Sequence, residues 1–190
     1  MIEMLAVLAI VITLLLIGVP ALQTYMRQGK LRGIANDTAT LMRLARLDAI
    51  RRSCTSVVRI VETPPRVEGF PDCDLNGVAD ADKPALGSFP VPTGVHHLAP
   101  PNLQGKLSVG DFSASPIAGD PNLAIFQPDG SIQATGGFRF GDDLGNFLEV
   151  WVAPKATARI EIHKCRVCTD ASIRADWYAS GEGGQVWTWK

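Results

Sequence analysis

The sequence predicts an α+β fold in which one long N-terminal helix packs against a mainly antiparallel β head. The chain opens with an uncharged apolar run, continues with apolar residues at three- and four-residue spacing, and then changes to short alternating runs separated by turn residues. We divide it into an apolar helix half, residues 1–22, an amphipathic helix half, residues 23–53, and a head, residues 54–190. The head is long enough for one hydrophobic core but not for two.

The apolar helix half is built around residues 4–19, which carry no charge and follow directly after Glu3. At 1.5 Å per residue this run forms a helix about 25 Å long, close to the thickness of a bilayer's hydrocarbon core. Because a carboxylate beside hydrocarbon must be neutralised or paired, we expect Glu3 to have a cationic partner. A cleaved signal peptide and a plain single-span anchor are the alternatives. Signal peptides begin with Lys or Arg, however, and this chain has no basic residue before Arg27.

The amphipathic helix half is predicted from residues that recur on one helix face: Leu31, Ile34, Thr38, Leu41, Ala45 and Ala49. The arginines of this segment lie mostly off that face, which we interpret as a solvated side of the helix rather than a contact for nucleic acid or lipid. Gly29 and Gly33 lower the helix propensity, so a bend or a melting point is expected there.

The head is predicted to be mostly antiparallel β. Six short runs rich in β-branched and aromatic residues are the predicted strands: residues 57–61, 123–126, 137–140, 147–152, 158–162 and 185–189. The sequence Pro-Asp-Gly at residues 128–130 predicts a turn, since Pro fixes one dihedral angle and Gly accepts a positive φ. Residues 63–121 hold most of the prolines and are interpreted as a long loop with one or two short strands, such as residues 106–109.

The start of the chain resembles a mature type IV pilin or pseudopilin. The resemblance is carried by Met1-Ile2-Glu3-Met4-Leu5, the aliphatic run that follows, and Pro20. In that family a short basic leader ends in Gly, prepilin peptidase cleaves after it, and the new N-terminus reads Phe-Thr-Leu-Ile-Glu. Glu3 then matches the family's glutamate, and Pro20 matches a proline that kinks the helix. We expect the true start codon to lie upstream, so that the leader and the first two mature residues precede Met1.

The head is similar to the C-terminal half of GspH/FimT-type minor pseudopilins. Residues 123–131, with Phe126-Gln-Pro-Asp-Gly130, match that group's Phe-x-Pro-x-Gly turn, and Gly136-Gly137 and the predicted strands 147–152 and 158–162 match the hairpin after it. Many members place Gly-Arg near the last strand, where this chain has Ala156-Thr-Ala-Arg159. The middle loop and the C-terminal tail have no counterpart in the resemblance.

This resemblance implies a minor pilin or pseudopilin of a type II secretion pseudopilus or a type IV pilus, acting in filament initiation, tip assembly and protein secretion. It places the chain in the bacterial inner membrane as a single-pass protein with its head in the periplasm. Its partners would be other pilins or pseudopilins, inner-membrane lipid and prepilin peptidase. Glu3 would pair with the terminal amine of an adjacent subunit, and Pro20 would shape the packed helix.

The middle loop contains a pattern with metal chemistry. Oxygen-bearing side chains occupy the first, third, fifth and ninth positions of an EF-hand-like loop: Asp72, Asp74, Asn76 and Asp80. Gly77 stands at the sixth position, as in EF-hand loops. The twelfth position is Lys83 instead of a bidentate Glu, and Asp82 could substitute from one residue earlier. The loop therefore predicts a Ca²⁺ site, and an acidic solvent-exposed turn is the alternative.

Four cysteines suit an exported head in an oxidising compartment: Cys54, Cys73, Cys165 and Cys168. Three pairings can be drawn, and we expect Cys54 with Cys73 and Cys165 with Cys168, since each pair is close in sequence. A zinc site formed by Cys165, Cys168, His163 and a distant Cys lacks the second Cys-x-x-Cys that would make it convincing.

The predicted function is not enzymatic. The three histidines, His96, His97 and His163, are not accompanied by a known catalytic motif, and each is interpreted as structural or solvated. A membrane-anchored periplasmic protein of another activity is one alternative. The other is a DNA-binding minor pilin for natural transformation, with contacts in the slightly basic tail: Lys164, Arg166, Arg174 and Lys190.

Overall fold

One helix precedes all the strands. The computed structural model describes residues 2–80, 82–96, 123–166, 176–184 and 186–189. Helix α1 spans Ile2–Arg52 and continues through Gly29 and Gly33 without loss of helical structure. Leu31 lies between these glycines and is fully buried, so packing against the head offsets their low helix propensity. Ser53, with a left-handed φ of 53°, ends the helix.

Nine strands follow in the described residues: β1 (Ser56–Glu62), β2 (Pro65–Pro71), β3 (Gly87–Pro90), β4 (Val95–His96), β5 (Leu123–Phe126), β6 (Gly136–Asp142), β7 (Phe147–Val152), β8 (Ile160–Cys165) and β9 (Trp177–Ala179). They form a four-stranded sheet of order β3-β2-β1-β5 and a five-stranded sheet of order β4-β6-β7-β8-β9. Every strand pair in both sheets is antiparallel. The predicted α+β architecture, a long helix on antiparallel sheets, is therefore confirmed.

Five of the six predicted strands are present, β5 and β7 with the predicted bounds. The predicted strand at residues 185–189 was wrong, because residues 186–189 have no regular secondary structure. The predicted loop at residues 63–121 contains β2, β3 and β4. A hairpin with β1 stabilises β2 although proline stands at both of its ends, since Val67 and Phe70 between them are buried. The predicted strand at residues 106–109 lies outside the described residues.

The core lies between α1 and the two sheets. All six residues of the predicted helix face are buried, which confirms the amphipathic pattern. Thr38 is accommodated there because its hydroxyl donates to the carbonyl of Ile34 at 2.7 Å. From the sheets, the main core receives Val58, Val67, Phe126, Phe138, Phe140, Leu148 and Val150, among others.

The predicted turn at residues 128–130 is present and contacts the helix. Gly130 has a φ of +81°, and its carbonyl accepts a hydrogen bond from Arg46 Nε at 2.9 Å. A Cβ at this glycine would lie 2.8 Å from the Cδ1 atom of Ile50. Glycine is therefore required here both for the backbone angle and for the close approach of the turn to α1.

Candidate functional site

The N-terminal part of α1 carries an exposed apolar surface. Between residues 4 and 26, thirteen large apolar side chains are 46% to 77% exposed: Met4, Val7, Leu8, Ile10, Val11, Ile12, Leu14, Leu15, Leu16, Val19, Leu22, Tyr25 and Met26. Consecutive helix residues point about 100° apart, so the exposed triplets 10–12 and 14–16 spread over about 240° of the helix circumference. Over the residues that the structure describes, no helix has both the length and the apolar character needed to cross a membrane.

The predicted calcium loop brings three of its five predicted ligands together. One carboxylate oxygen from each of Asp72, Asp74 and Asp80 lies within 4.8 Å of the other two. Asn76 joins this group through its side-chain amide, which donates to Asp74 at 2.7 Å. Asp82 lies apart, with its side chain 81% exposed.

Backbone groups hold the buried end of this loop. Asp72 is fully buried and accepts hydrogen bonds from the N–H groups of Gly77 at 2.9 Å and Asn76 at 3.1 Å. Burial raises the pKa of Asp72 above its ordinary value, and these two hydrogen bonds oppose that rise. Gly77 has a φ of 79°, so the glycine predicted for the sharp turn makes that turn.

A lysine ammonium already neutralises one carboxylate of the loop. Lys83 Nζ lies 2.6 Å from Asp80 Oδ2, and the backbone N–H of Cys73 donates to the same oxygen at 3.2 Å. The pKa of Asp80 is lowered, first by Lys83 and then by Cys73, and the pKa of Lys83 is raised, first by Asp80. A metal ion would have to compete with this ammonium for Asp80, so calcium at the loop stays a prediction.

We expect Lys83→Met to raise the pKa of Asp80 toward its ordinary value, because the variant removes the largest cause of the lowering. In the wild type, the lowered pKa stabilises the fold above the carboxyl's unfolded pKa, and this contribution is lost as the pH falls through the folded pKa. The variant loses that contribution at neutral pH. NMR titration of the Asp80 carboxyl, with Lys155→Met as the exposed-lysine control, measures the shift. An unchanged Asp80 pKa in Lys83→Met would contradict this account. Calcium titration of the wild type and of Lys83→Met measures the competition between Lys83 and the metal ion for Asp80.

One of the two predicted disulfides lies within the described residues. Cys54 is bonded to Cys73, as predicted, and this bond ties the acidic loop to the end of α1. The two residues are 19 apart in sequence, so closing the loop stabilises the fold by about 3 kcal/mol. Cys165 is also disulfide-bonded, and its predicted partner, Cys168, lies outside the described residues. The bonded state of Cys165 does not fit a zinc ligand, which must be a free thiolate.

The residues predicted to contact DNA are not brought together on one described surface. Lys164 is 3% exposed, and its ammonium donates to the carbonyl of Thr188 and to Asn146 Oδ1 at 3.3 Å. Arg166 is exposed, with its guanidinium 5.3 Å from the centre of the Tyr178 ring. Arg174 and Lys190 lie outside the described residues.

The histidines lie at separate places in the described structure. His96 Nε2 lies 2.7 Å from Asp143 Oδ1 on the exposed edge of the five-stranded sheet. His163 is buried on β8, with Nε2 3.4 Å from Glu161. His97 lies outside the described residues.

A buried ion pair was missed by sequence reasoning. Arg139 Nε and Glu149 Oε1 lie 2.8 Å apart on the paired strands β6 and β7, with side chains 9% and 0% exposed. The alternation Phe-Arg-Phe and Leu-Glu-Val is typical of strands with one face in water, but both charged residues are buried here. A pairing of opposite charges across a predicted hairpin was the available signal.

Two surfaces are thus candidates for contact with other molecules, the exposed apolar surface of α1 and the acidic loop. No protein-family model, curated protein or solved structure matches the chain. The apolar surface is the larger of the two, and exposed apolar surfaces of this extent are typical of sites that contact a protein or a membrane.

Proposed function

We propose that the chain is a minor pilin or pseudopilin, a structural subunit of a type II secretion pseudopilus or a type IV pilus. The observation that carries this proposal is the exposed apolar surface, whose large side chains spread over about 240° of the helix circumference instead of forming one narrow stripe. A helix with so broad an apolar surface is typical of the interior of a membrane or of a packed assembly. Neighbouring helices in a filament provide such surroundings, and the inner-membrane bilayer provides them before assembly.

The first turn of α1 supports the same function. Glu3 is an exposed carboxylate directly before the apolar surface. In a filament its charge would be neutralised by the terminal amine of an adjacent subunit, where little water remains. The pairing also fixes the axial position of one helix against the next, since only one register brings the two charges together.

The head supports an exported location and a role at the filament tip. A disulfide persists in the oxidising periplasm, and it holds the acidic loop against the end of α1 that lies farthest from the apolar surface. A stiffened loop at that end is suited to contact a partner during filament initiation or secretion. Calcium at the loop would add to this stiffness. The burial of Lys164 gives no support to the alternative of a DNA-binding minor pilin.

Cysteine cross-linking in the native bacterium tests the proposal. Leu8 and Ile10 are 59% and 61% exposed and point about 200° apart around α1. In a filament core both sides of the helix have neighbours, so we expect Leu8→Cys and Ile10→Cys each to cross-link to other subunits in the sheared filament fraction. Lys155→Cys, exposed on the head, is the matched control for non-specific oxidation.

Two other outcomes would contradict the filament. Cross-linking from one of the two positions alone would indicate a dimer that uses one helix side. Monomeric protein at both positions, in cells that assemble filaments, would indicate a membrane anchor that does not enter them.

A further inference from the structure

Three cations lie where the exposed apolar surface meets the head. Residues 4–36 contain no carboxylate, and their charged residues are Arg27, Lys30 and Arg32, all exposed. They spread over about 7.5 Å of the helix axis and point to different sides of it. Within the part of the chain that the structure describes, none of the three forms an ion pair, although Lys30 Nζ approaches the carbonyl of Thr93 at 3.4 Å.

The C-terminal tail adds two tryptophans at the same level. The guanidinium of Arg32 lies 4.3 Å from the centre of the Trp189 ring and 6.0 Å from that of Trp187. The indole N–H of Trp187 donates to the carbonyl of Tyr178 at 3.3 Å, which fixes the tail to β9. Both rings are half-buried, so part of each ring lies at the surface of the head.

Lys164 places a further cation next to these tryptophans. Lys164 Nζ lies 4.2 Å from the centre of the Trp189 ring, on the head. The fold therefore gathers positive charge and aromatic rings from α1, β8 and the C-terminal tail into one zone at the base of the head.

We propose that Arg27, Lys30, Arg32, Trp187 and Trp189 form a girdle that binds the headgroups of anionic phospholipids. This inference rests on the proposed function, since it concerns the subunit while its apolar surface is in the bilayer before assembly. Tryptophan rings favour the boundary between headgroups and acyl chains, and arginine and lysine at that depth attract anionic headgroups. The axial spread of the three cations is comparable with the thickness of one headgroup layer.

The neighbouring surface selects a lipid over a free phosphate or a nucleic acid. Tyr25, Met26 and Val186 border the girdle and are 74%, 55% and 76% exposed. These apolar side chains would remain in water if the girdle bound a soluble anion. A lipid covers both parts at once, with its phosphate on the cations and its acyl chains on the apolar side chains.

Partitioning of the full chain between lipid vesicles tests the girdle. The probes are vesicles of phosphatidylcholine alone and vesicles in which about one third of the lipid is phosphatidylglycerol. From three cations near the surface we expect the wild type to favour the anionic vesicles about a hundredfold, and less at high salt. The triple variant R27Q/K30Q/R32Q should lose most of this preference. The matched control R43Q/R51Q/K155Q removes three exposed cations elsewhere and should keep it.

The possible results distinguish failure of the girdle proposal from failure of the proposed function on which it rests. The girdle would be contradicted if the wild type partitioned equally into both kinds of vesicle, or if both triple variants lost the preference for anionic vesicles equally. Neither result would contradict the proposed insertion of the apolar surface in a bilayer before assembly. If the wild type bound to neither kind of vesicle, the proposed insertion of the apolar surface in a bilayer would be contradicted. If detergent-solubilised protein instead bound duplex DNA through the same three cations, without any preference between the vesicles, the partner would be nucleic acid and the lipid proposal would fail.

Discussion

Replacing Glu3 with alanine is expected to leave the chain in the membrane fraction but to lower its recovery in assembled filaments by more than about a hundredfold. The apolar surface that follows Glu3 is unchanged in this variant, so membrane association is retained. In the proposed filament, however, the terminal amine of the neighbouring subunit would lose its carboxylate partner. An uncompensated charge in a dry environment costs about 3–5 kcal/mol, which corresponds to that loss of incorporation.

Two variants show whether the effect belongs to the charge at this position. Asp37→Ala removes another exposed carboxylate from the same helix and should assemble like the wild type. Glu3→Gln keeps the shape and the hydrogen-bonding capacity but not the charge, and it should fail like Glu3→Ala. The measurement is the ratio of each variant in sheared filaments to that in whole membranes. Incorporation of Glu3→Ala into filaments at the wild-type level would contradict the proposed role of Glu3.

The helix and much of the sheet could be predicted because their signals are local. A buried face with period 3.6 requires one apolar stripe, and Leu31 to Ala49 supplied it without reference to the rest of the chain. The tail could not be predicted in this way. Trp187 and Trp189 have the composition of a strand, but in the fold they contact Arg32, more than 150 residues away in sequence. Contacts of this kind depend on the finished fold.

In the acidic loop the group of carboxylates could be predicted, but a contact made by a side chain three residues away could not. The spacing of Asp72, Asp74 and Asp80 placed three carboxylates together, because a short turn around Gly77 leaves them few other arrangements. The spacing did not reveal that the ammonium of Lys83 would fold back onto Asp80. The resemblance of the chain to pilins rests on its first residues and one turn and stays a prediction, whereas the structure shows an α+β fold of one long helix on antiparallel sheets.

Replacing Arg139 with methionine is expected to lower the free energy of unfolding by about 3–5 kcal/mol, a large part of the total stability of a domain of this size. The side chain of Glu149 is fully buried, and the guanidinium of Arg139, 2.8 Å away, is its cation on the neighbouring strand. Arg139 also lies 5.7 Å from the centre of the Trp177 ring, so the variant loses a cation–π contact as well. Methionine preserves most of the side-chain volume, and the loss therefore comes mainly from the broken ion pair with the buried carboxylate.

Urea unfolding of the full chain in detergent, followed by tryptophan fluorescence, measures this change, and two further variants identify its cause. Arg159→Met breaks an ion pair with Glu161 whose arginine is 73% exposed, and it should cost less than about 1 kcal/mol. The double variant R139M/E149M removes both charges and should be more stable than R139M alone, because the buried carboxylate is removed together with the guanidinium. If R139M and R159M were equally mild, the buried pair would not stabilise the head. If the double variant were less stable than R139M, the cost would come from lost packing between β6 and β7 rather than from an unpaired charge.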